Sequence, residues 1–394
     1  MRVLYYCPEY FSNHGARTHA REFFHALQNS PGVAEAFIYD ERPKSESDAS
    51  PHVAKKTGGR TRFLPKSIKR FFHFWKPKNA LTQSVLDELK ANACDVLIVR
   101  SGTRIPSLQE IKRQRPDLLV CLEINSAFFD EFYANIPFRR FIQNMEVKRF
   151  SYADSFFTVS RYLKEYLLER GLPDSRVLIN QNAVNTEVFR PLAKDLALTQ
   201  ELNFNIPADA FVLGYVGGME VFRRLPEVID LFSELRVKGH KQVFLLMIGD
   251  GVDRQAVEAR IKANAPDISG WITCLGWQPY ENIPRLISLF DVAIFPFTNP
   301  YCSPLKLFEY LAMEKAVLGP DTPAVREVFT EGEHVSLVKE DGSDFCDKVI
   351  ELITSSSLRS NLAENGKQRV IENYTWEKNA SGVLDHIRSC SFKD

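Results

Sequence analysis

Short apolar runs without polar alternation recur along the chain: Val3–Cys7, Ala36–Tyr39, Val96–Val99, Leu118–Leu122, Ser155–Val159, Phe211–Val216, Val243–Ile248, Ile272–Leu275, Val292–Phe295 and Ala316–Leu318. Each is followed by an amphipathic segment of helical length. A strand covered by helices on both faces of its sheet has no solvent side, so it carries no alternation. The series therefore predicts an α/β, doubly wound architecture with parallel strands. It breaks once, over residues 185–207, where Phe-Arg-Pro and Asn-Ile-Pro interrupt it. A linker there gives two Rossmann-like halves, over 1–190 and 207–372, with the cleft between them as the default ligand site. After a helical stretch near Ser357–Glu372, the run Asn373-Tyr374-Thr375-Trp376-Glu377 reads as a break and a new helix with Thr375 as N-cap. Residues 373–394 are expected to return to the first half.

Length agrees with this division, since 394 residues at about 100–200 per domain make two domains or three. With 44% apolar and 12% aromatic residues, the chain is neither disordered, collagenous nor a coiled coil. Its 50 Lys+Arg cancel its 50 Asp+Glu, so no global field favours nucleic acid, and none is expected as a partner. The seven cysteines are scattered and never in CxxC spacing, which suggests neither a disulfide framework nor a zinc site. The opening Arg2–Cys7 run is too short for a signal peptide. The longest apolar runs are about a third of a membrane-spanning helix. A soluble or peripheral cytoplasmic protein is expected.

The neutral total hides one strongly basic region. Residues 51–78 contain nine Lys/Arg, five aromatics and no acid. Leu64, Ile68, Phe71, Phe72 and Trp75 recur at helical spacing, with Lys66, Lys69, Arg70 and His73 off that stripe. This predicts a short basic amphipathic helix over 64–75, suited either to an anionic membrane surface or to packing on the first half with its basic side in water.

Two segments of the second half carry candidate chemistry. In Asn299-Pro300-Tyr301-Cys302-Ser303-Pro304-Leu305-Lys306-Leu307-Phe308-Glu309, Ser303 and Pro304 have the signature of an N-cap and first helical residue directly after a strand. Free amides at a helix start attract anions, and Lys306 adds a full charge. Glu309 lies three residues on, where a carboxylate could hold ribose hydroxyls; the plain alternative is an i,i+3 surface ion pair between Lys306 and Glu309. The second segment, Gly214-Tyr215-Val216-Gly217-Gly218, ends a strand in glycines and leads to Arg223 and Arg224. Glycines allow close backbone approach, and guanidinium forks suit phosphate oxygens. Asp250, in Gly-Asp-Gly, reads as a turn and cap residue.

These pieces in order, with Ile248-Gly249-Asp250-Gly251 and Leu275-Gly276-Trp277 between them, resemble the second domain of retaining glycosyltransferases of the GT-B fold, in particular family 4 (group 1). The first half is similar too. His14-Gly15-Ala16-Arg17-Thr18-His19 resembles the family's first loop, and Val159-Ser160-Arg161 through Phe189-Arg190-Pro191 its approach to the linker. Tyr374-Thr375-Trp376-Glu377 resembles its returning C-terminal helix. The resemblance implies a nucleotide-sugar donor, UDP- or GDP-linked, as substrate, with no cofactor and no metal; the chain has no DxD triplet. Implied donor contacts are Gly217, Gly218, Arg223, Arg224, Trp277, Ser303, Pro304, Leu305, Lys306 and Glu309. Arg223 and Lys306 would stabilise the leaving diphosphate, and Trp277 would border the base or simply pack. His14, Gly15 and Asn125 are the implied contacts to a glycan or lipid-linked acceptor.

The chain also departs from that pattern. Tyr301 stands where the family's first motif glutamate is expected. Where many relatives have a histidine after the fourth strand, this chain reads Glu123-Ile124-Asn125-Ser126. Glu123 is therefore a candidate catalytic group beside the sugar, or else a residue that orients a neighbouring loop. A transferase of cell-surface polysaccharide or glycoconjugate synthesis is the leading expectation. A GT-B-fold sugar-nucleotide epimerase and a non-catalytic nucleotide-sugar-binding subunit are the alternatives.

Overall fold

A computed structural model describes residues 1–11, 16–40, 79–102, 104–127 and 139–391. Among these, the strands form two six-stranded sheets, parallel throughout. The first contains β1 (Arg2–Tyr6), β2 (Glu35–Ile38), β3 (Val96–Arg100), β4 (Leu119–Ile124), β5 (Ser155–Thr158) and β6 (Val177–Ile179), in the order β2-β1-β3-β4-β5-β6. The second contains β7 (Phe211–Val216), β8 (Val243–Ile248), β9 (Ile272–Cys274), β10 (Val292–Ile294), β11 (Ala316–Pro320) and β12 (Ser336–Val338), in the order β12-β11-β10-β7-β8-β9. Every residue of β8 is buried, as a strand covered on both faces must be.

All ten apolar runs of the sequence are strands. β6 and β12 were not anticipated: the apolar run of β6 is only Val177–Ile179 and that of β12 is interrupted at Ser336, whereas the equally short edge strand β9 stood out because its run continues through Leu275. The chain divides into two compact units, one of residues 1–180 with 380–394, the other of residues 181–379. Residues 185–207, expected as a linker, are tied into the second unit by ion pairs. Lys194 meets Asp291 at 2.7 Å, and Arg285 meets Asp195 at 2.7 Å and Glu201 at 2.8 Å.

The last helix, Trp376–Ser391, begins where Thr375 Oγ1 accepts the Lys378 N–H at 3.4 Å, the cap that the sequence predicted. From Ala380 onward it belongs to the first unit, where His386 Nε2 lies 3.0 Å from the Arg176 carbonyl and Arg388 donates to the Pro31 carbonyl at 3.3 Å. Positions 14, 15 and 64–75, and with them the expected acceptor loop and basic helix, lie outside the described residues.

Candidate functional site

An open parallel sheet leaves a crevice at the carboxyl ends of the two strands between which its winding reverses. In the second unit these strands are β7 and β10, so the loops after Val216 and after Ile294 border the crevice. The glycines after β7 serve two purposes. Gly217 N donates to Ile248 O at 3.0 Å, and Met219 N donates to Asp250 O at 2.9 Å, lacing the β7 loop to the β8 loop. Gly249, at φ +138°, packs so closely there that a Cβ would lie 1.9 Å from Gly217 O. Gly218 is exposed, and a Cβ on it would meet nothing nearer than Glu220 Cγ at 3.7 Å. Loop packing thus accounts for Gly217 and Gly249, whereas Gly218 leaves main chain open to a ligand. Asp250 is the expected turn residue, with Oδ1 accepting from Gly251 N at 2.8 Å. It caps no helix, however, because the following helix starts at Arg254.

The two arginines diverge. Arg223 Nη1 donates to Thr298 Oγ1 at 2.6 Å, and its guanidinium lies over the Phe295 ring at 4.2 Å, so it bridges the loops on the two sides of the crevice. Arg224 instead pairs with Glu227 at 2.5 Å and donates to the Glu340 carbonyl, over the Phe297 ring at 4.1 Å. Its left-handed backbone, φ +50°, precedes the helix Leu225–Val237. Both arginines thus lie over rings of the β10 loop, but only Arg223 also donates to a side chain of that loop, Thr298.

The helix Leu305–Ala312 begins one residue later than the sequence predicted. Pro304 is its N-cap and no side chain caps it, because Ser303 Oγ accepts the Asn182 N–H at 3.3 Å and Ser303 O accepts from Asn182 Nδ2 at 2.5 Å. Lys306 and Glu309 do form an ion pair, at 2.5 Å, but not a surface one: the glutamate side chain is 1% exposed and the lysine 18%. An ammonium has three N–H groups, so Lys306 can hold Glu309 and still present donors to an anion. Tyr301, in place of the first motif glutamate, is buried and accepts from Asn299 Nδ2 at 2.9 Å. Trp277 is 63% exposed, which excludes its reading as core packing.

In the first unit the winding reverses between β1 and β3. Glu123, at the end of β4, is completely buried near this point and gathers four side chains. Tyr5 Oη donates to its Oε2 at 2.6 Å; Arg100 Nη1 and Asn125 Nδ2 donate to Oε1 at 2.5 Å each, and His19 Nε2 lies 2.7 Å from Oε1. Burial opposes its ionisation, but Arg100 and His19 outweigh that and hold its carboxyl down at about 2. Of the two readings of Glu123, this is the orienting one: the carboxylate is enclosed by its own partners rather than turned out to a ligand. Asn125, an expected acceptor contact, is one of those partners. The sequence did not single out Tyr5 or Arg100, and it assigned no role to His19 or Thr298. A cation ending an otherwise apolar strand, as Arg100 does, was the available signal.

With this geometry in hand, comparison with known proteins is informative. Residues 210–355 match the family described as glycosyl transferases group 1. A 232-residue stretch is 25% identical to an uncharacterised glycosyltransferase of Methanocaldococcus jannaschii, covering 59% of this chain and 58% of that protein. A 212-residue stretch is 26% identical to the putative teichuronic acid biosynthesis glycosyltransferase TuaH of Bacillus subtilis, covering 50% of this chain and 49% of TuaH. The chain thus spans about half the length of these curated relatives. The crystal structure of HepE from Anabaena in complex with UDP and glucose matches 99% of this chain and all of that one, with TM-score 0.71 and 13% identity. Residues 210–355 of the second unit are thus similar to glycosyl transferases group 1, and the two sheets match the fold of GT-B glycosyltransferase structures.

Proposed function

We propose that this protein transfers a sugar with retention from a UDP- or GDP-linked donor to a glycan or lipid-linked acceptor, in cell-surface polysaccharide or glycoconjugate synthesis. The observation that carries this reading is the Lys306–Glu309 pair beside the β7/β10 crevice, with Arg223 bridging the loops at its mouth. In this reading Glu309 accepts hydrogen bonds from the ribose hydroxyls. Arg223, Lys306 and the main chain of Gly218 and Ser303–Leu305 hold the diphosphate, and the exposed Trp277 borders the base. As the bond from the anomeric carbon to phosphate breaks, negative charge grows on the diphosphate. Fixed cations and helix-start amides stabilise that charge without reorganising. Attack from the face of departure gives retention without a protein nucleophile. No cofactor or metal enters the reading. The HepE structure, which holds UDP and glucose, supports it by analogy of fold.

No described helix is long and apolar enough to cross a membrane. For a lipid-linked acceptor we propose a cytoplasmic protein that attaches peripherally through residues 64–75. Equal recovery of wild type and Lys69→Glu/Arg70→Glu on anionic vesicles overturns that attachment.

The test of function is a thermal-shift series with UDP-, GDP-, ADP- and dTDP-sugars, followed by assay of nucleotide release. A ligand that binds only the folded chain raises its melting temperature by mass action. No shift at millimolar donor overturns the donor reading. Tight binding without turnover against any acceptor favours the binding subunit, the reading to which Tyr301 gives weight.

A further inference from the structure

The pairing of β10 with β7 ends at Ala293 and Gly214, so the last residues of β7 have no strand on that side. A tyrosine fills the gap. Tyr310, on the helix Leu305–Ala312, accepts the Val216 N–H at 2.6 Å and donates its own proton to the Val216 carbonyl at 3.1 Å. One phenol satisfies both backbone groups that a neighbouring strand would otherwise engage. A second phenol works from below: Tyr215 Oη donates to the Gly218 carbonyl at 2.9 Å, while its ring stacks on Phe295 with centroids 5.8 Å apart. Both tyrosines are buried, and burial pushes both hydroxyls up, Tyr215 to about 12, so they remain neutral donors across the working pH range.

We propose that Tyr310 and Tyr215 are positioning residues for the donor diphosphate, an assignment that rests on the nucleotide-sugar reading above. Lys306 and Tyr310 stand four residues apart, on one face of one helix. Tyr310 therefore fixes the glycine loop relative to the same helix that presents Lys306 and Glu309, and Tyr215 sets the orientation of the Gly218 peptide within that loop. Neither phenol touches the reacting atoms. Each acts through the main chain, where displacement of a phosphate contact by a fraction of an ångström is costly.

The test titrates UDP and GDP calorimetrically against wild type, Tyr310→Phe and Tyr215→Phe, and follows transfer kinetics with the donor that binds. Phenylalanine keeps the ring and removes only the hydroxyl. We expect Tyr310→Phe to weaken nucleotide binding about tenfold and to raise the donor KM in parallel, with the acceptor KM unchanged. Tyr215→Phe shows the same pattern more weakly, and carries the test alone if Tyr310→Phe does not fold. Tyr39→Phe, which removes a hydroxyl bonded to Ser84 in the first unit, is the control and keeps wild-type affinity. Nucleotide affinity within twofold of wild type in both variants, with the Val216 amide exchanging faster in Tyr310→Phe, overturns the positioning role alone. A wild type that binds neither UDP nor GDP overturns the donor reading and this role with it.

Discussion

At the β1/β3 reversal a fully ionised carboxylate is sealed in by Arg100, His19, Tyr5 and Asn125. At the β7/β10 reversal two neutral phenols brace a glycine loop, while the charges of Lys306 and Arg223 remain partly open to solvent. The winding is of one kind, yet the electrostatic solutions are opposite. A buried ion pair needs all its partners to be tolerable, so the first crevice is committed to internal order. Neutral braces cost little to bury once hydrogen-bonded, so in the second crevice the buried charge is confined to the Lys306–Glu309 pair, whose ammonium end stays partly open. The contrast favours an architectural part for Glu123 and leaves Lys306 available to the donor site proposed above, although both were candidates for catalysis.

Four substitutions and one chelation test can break or sharpen that contrast. The largest effect on stability is expected from Glu123→Gln, which takes from Arg100 its buried counter-charge and leaves only the more exposed Glu9, 3.9 Å away; it costs about 3–5 kcal/mol in a urea titration. The same carboxyl gives a pH signature. Held at about 2 against 4.5 when unperturbed, it contributes stability that is complete above about pH 4.5 and lost as the pH falls towards 2. Acid unfolding of Glu123→Gln should lack that component; an unchanged profile would refute the hub.

Lys306→Met comes next and reverses the pattern. It is expected to lower kcat by about 10²–10³-fold, comparable to loss of one oxyanion donor; it also leaves the buried Glu309 without Lys306 and so lowers stability, but by less than the Glu123 variant, whose carboxylate has four partners. Equal losses of stability in the two variants would erase the distinction between the crevices. Smaller again is Gly249→Ala, whose Cβ would meet Gly217 O at 1.9 Å in a backbone of positive φ; about 1–3 kcal/mol of destabilisation is expected by thermal melting. Gly218→Ala, by contrast, should melt within about 0.5 kcal/mol of wild type but bind nucleotide more weakly. Last, transfer should proceed unchanged in EDTA, because Arg223 and Lys306 supply the positive charge in this reading; loss of activity restored by a divalent cation would refute that.

Much of the fold was legible because parallel strands announce themselves as unbroken apolar runs, and only β6, with a run of three residues, and β12, interrupted at Ser336, fell below that signal. The segments bordering the β7/β10 crevice were legible as glycines and charges at strand ends. What escaped were relations over long distance in sequence. Whether Arg223 or Arg224 faces the crevice depends on Thr298 and Glu340, far along the chain. Ser303 has a capping residue's identity, but its hydroxyl is taken by Asn182, a partner 121 residues away. Tyr310 reads as a core aromatic until the strand gap it fills is known. Glu123 reads the same whether exposed to a sugar or enclosed by Tyr5 and Arg100.

The shared last helix has a consequence for biosynthesis. Residues 380–391 supply Val383, Leu384 and Ile387 as buried side chains to the unit that also holds the N-terminus. Domains commonly fold in the order of their synthesis. Here the opening 180 residues lack part of their core until residues 380–391 have been made, after all of residues 181–379. A released chain truncated after residue 379 is therefore expected to keep a protease-resistant second unit while the first is readily cut, which limited proteolysis would reveal.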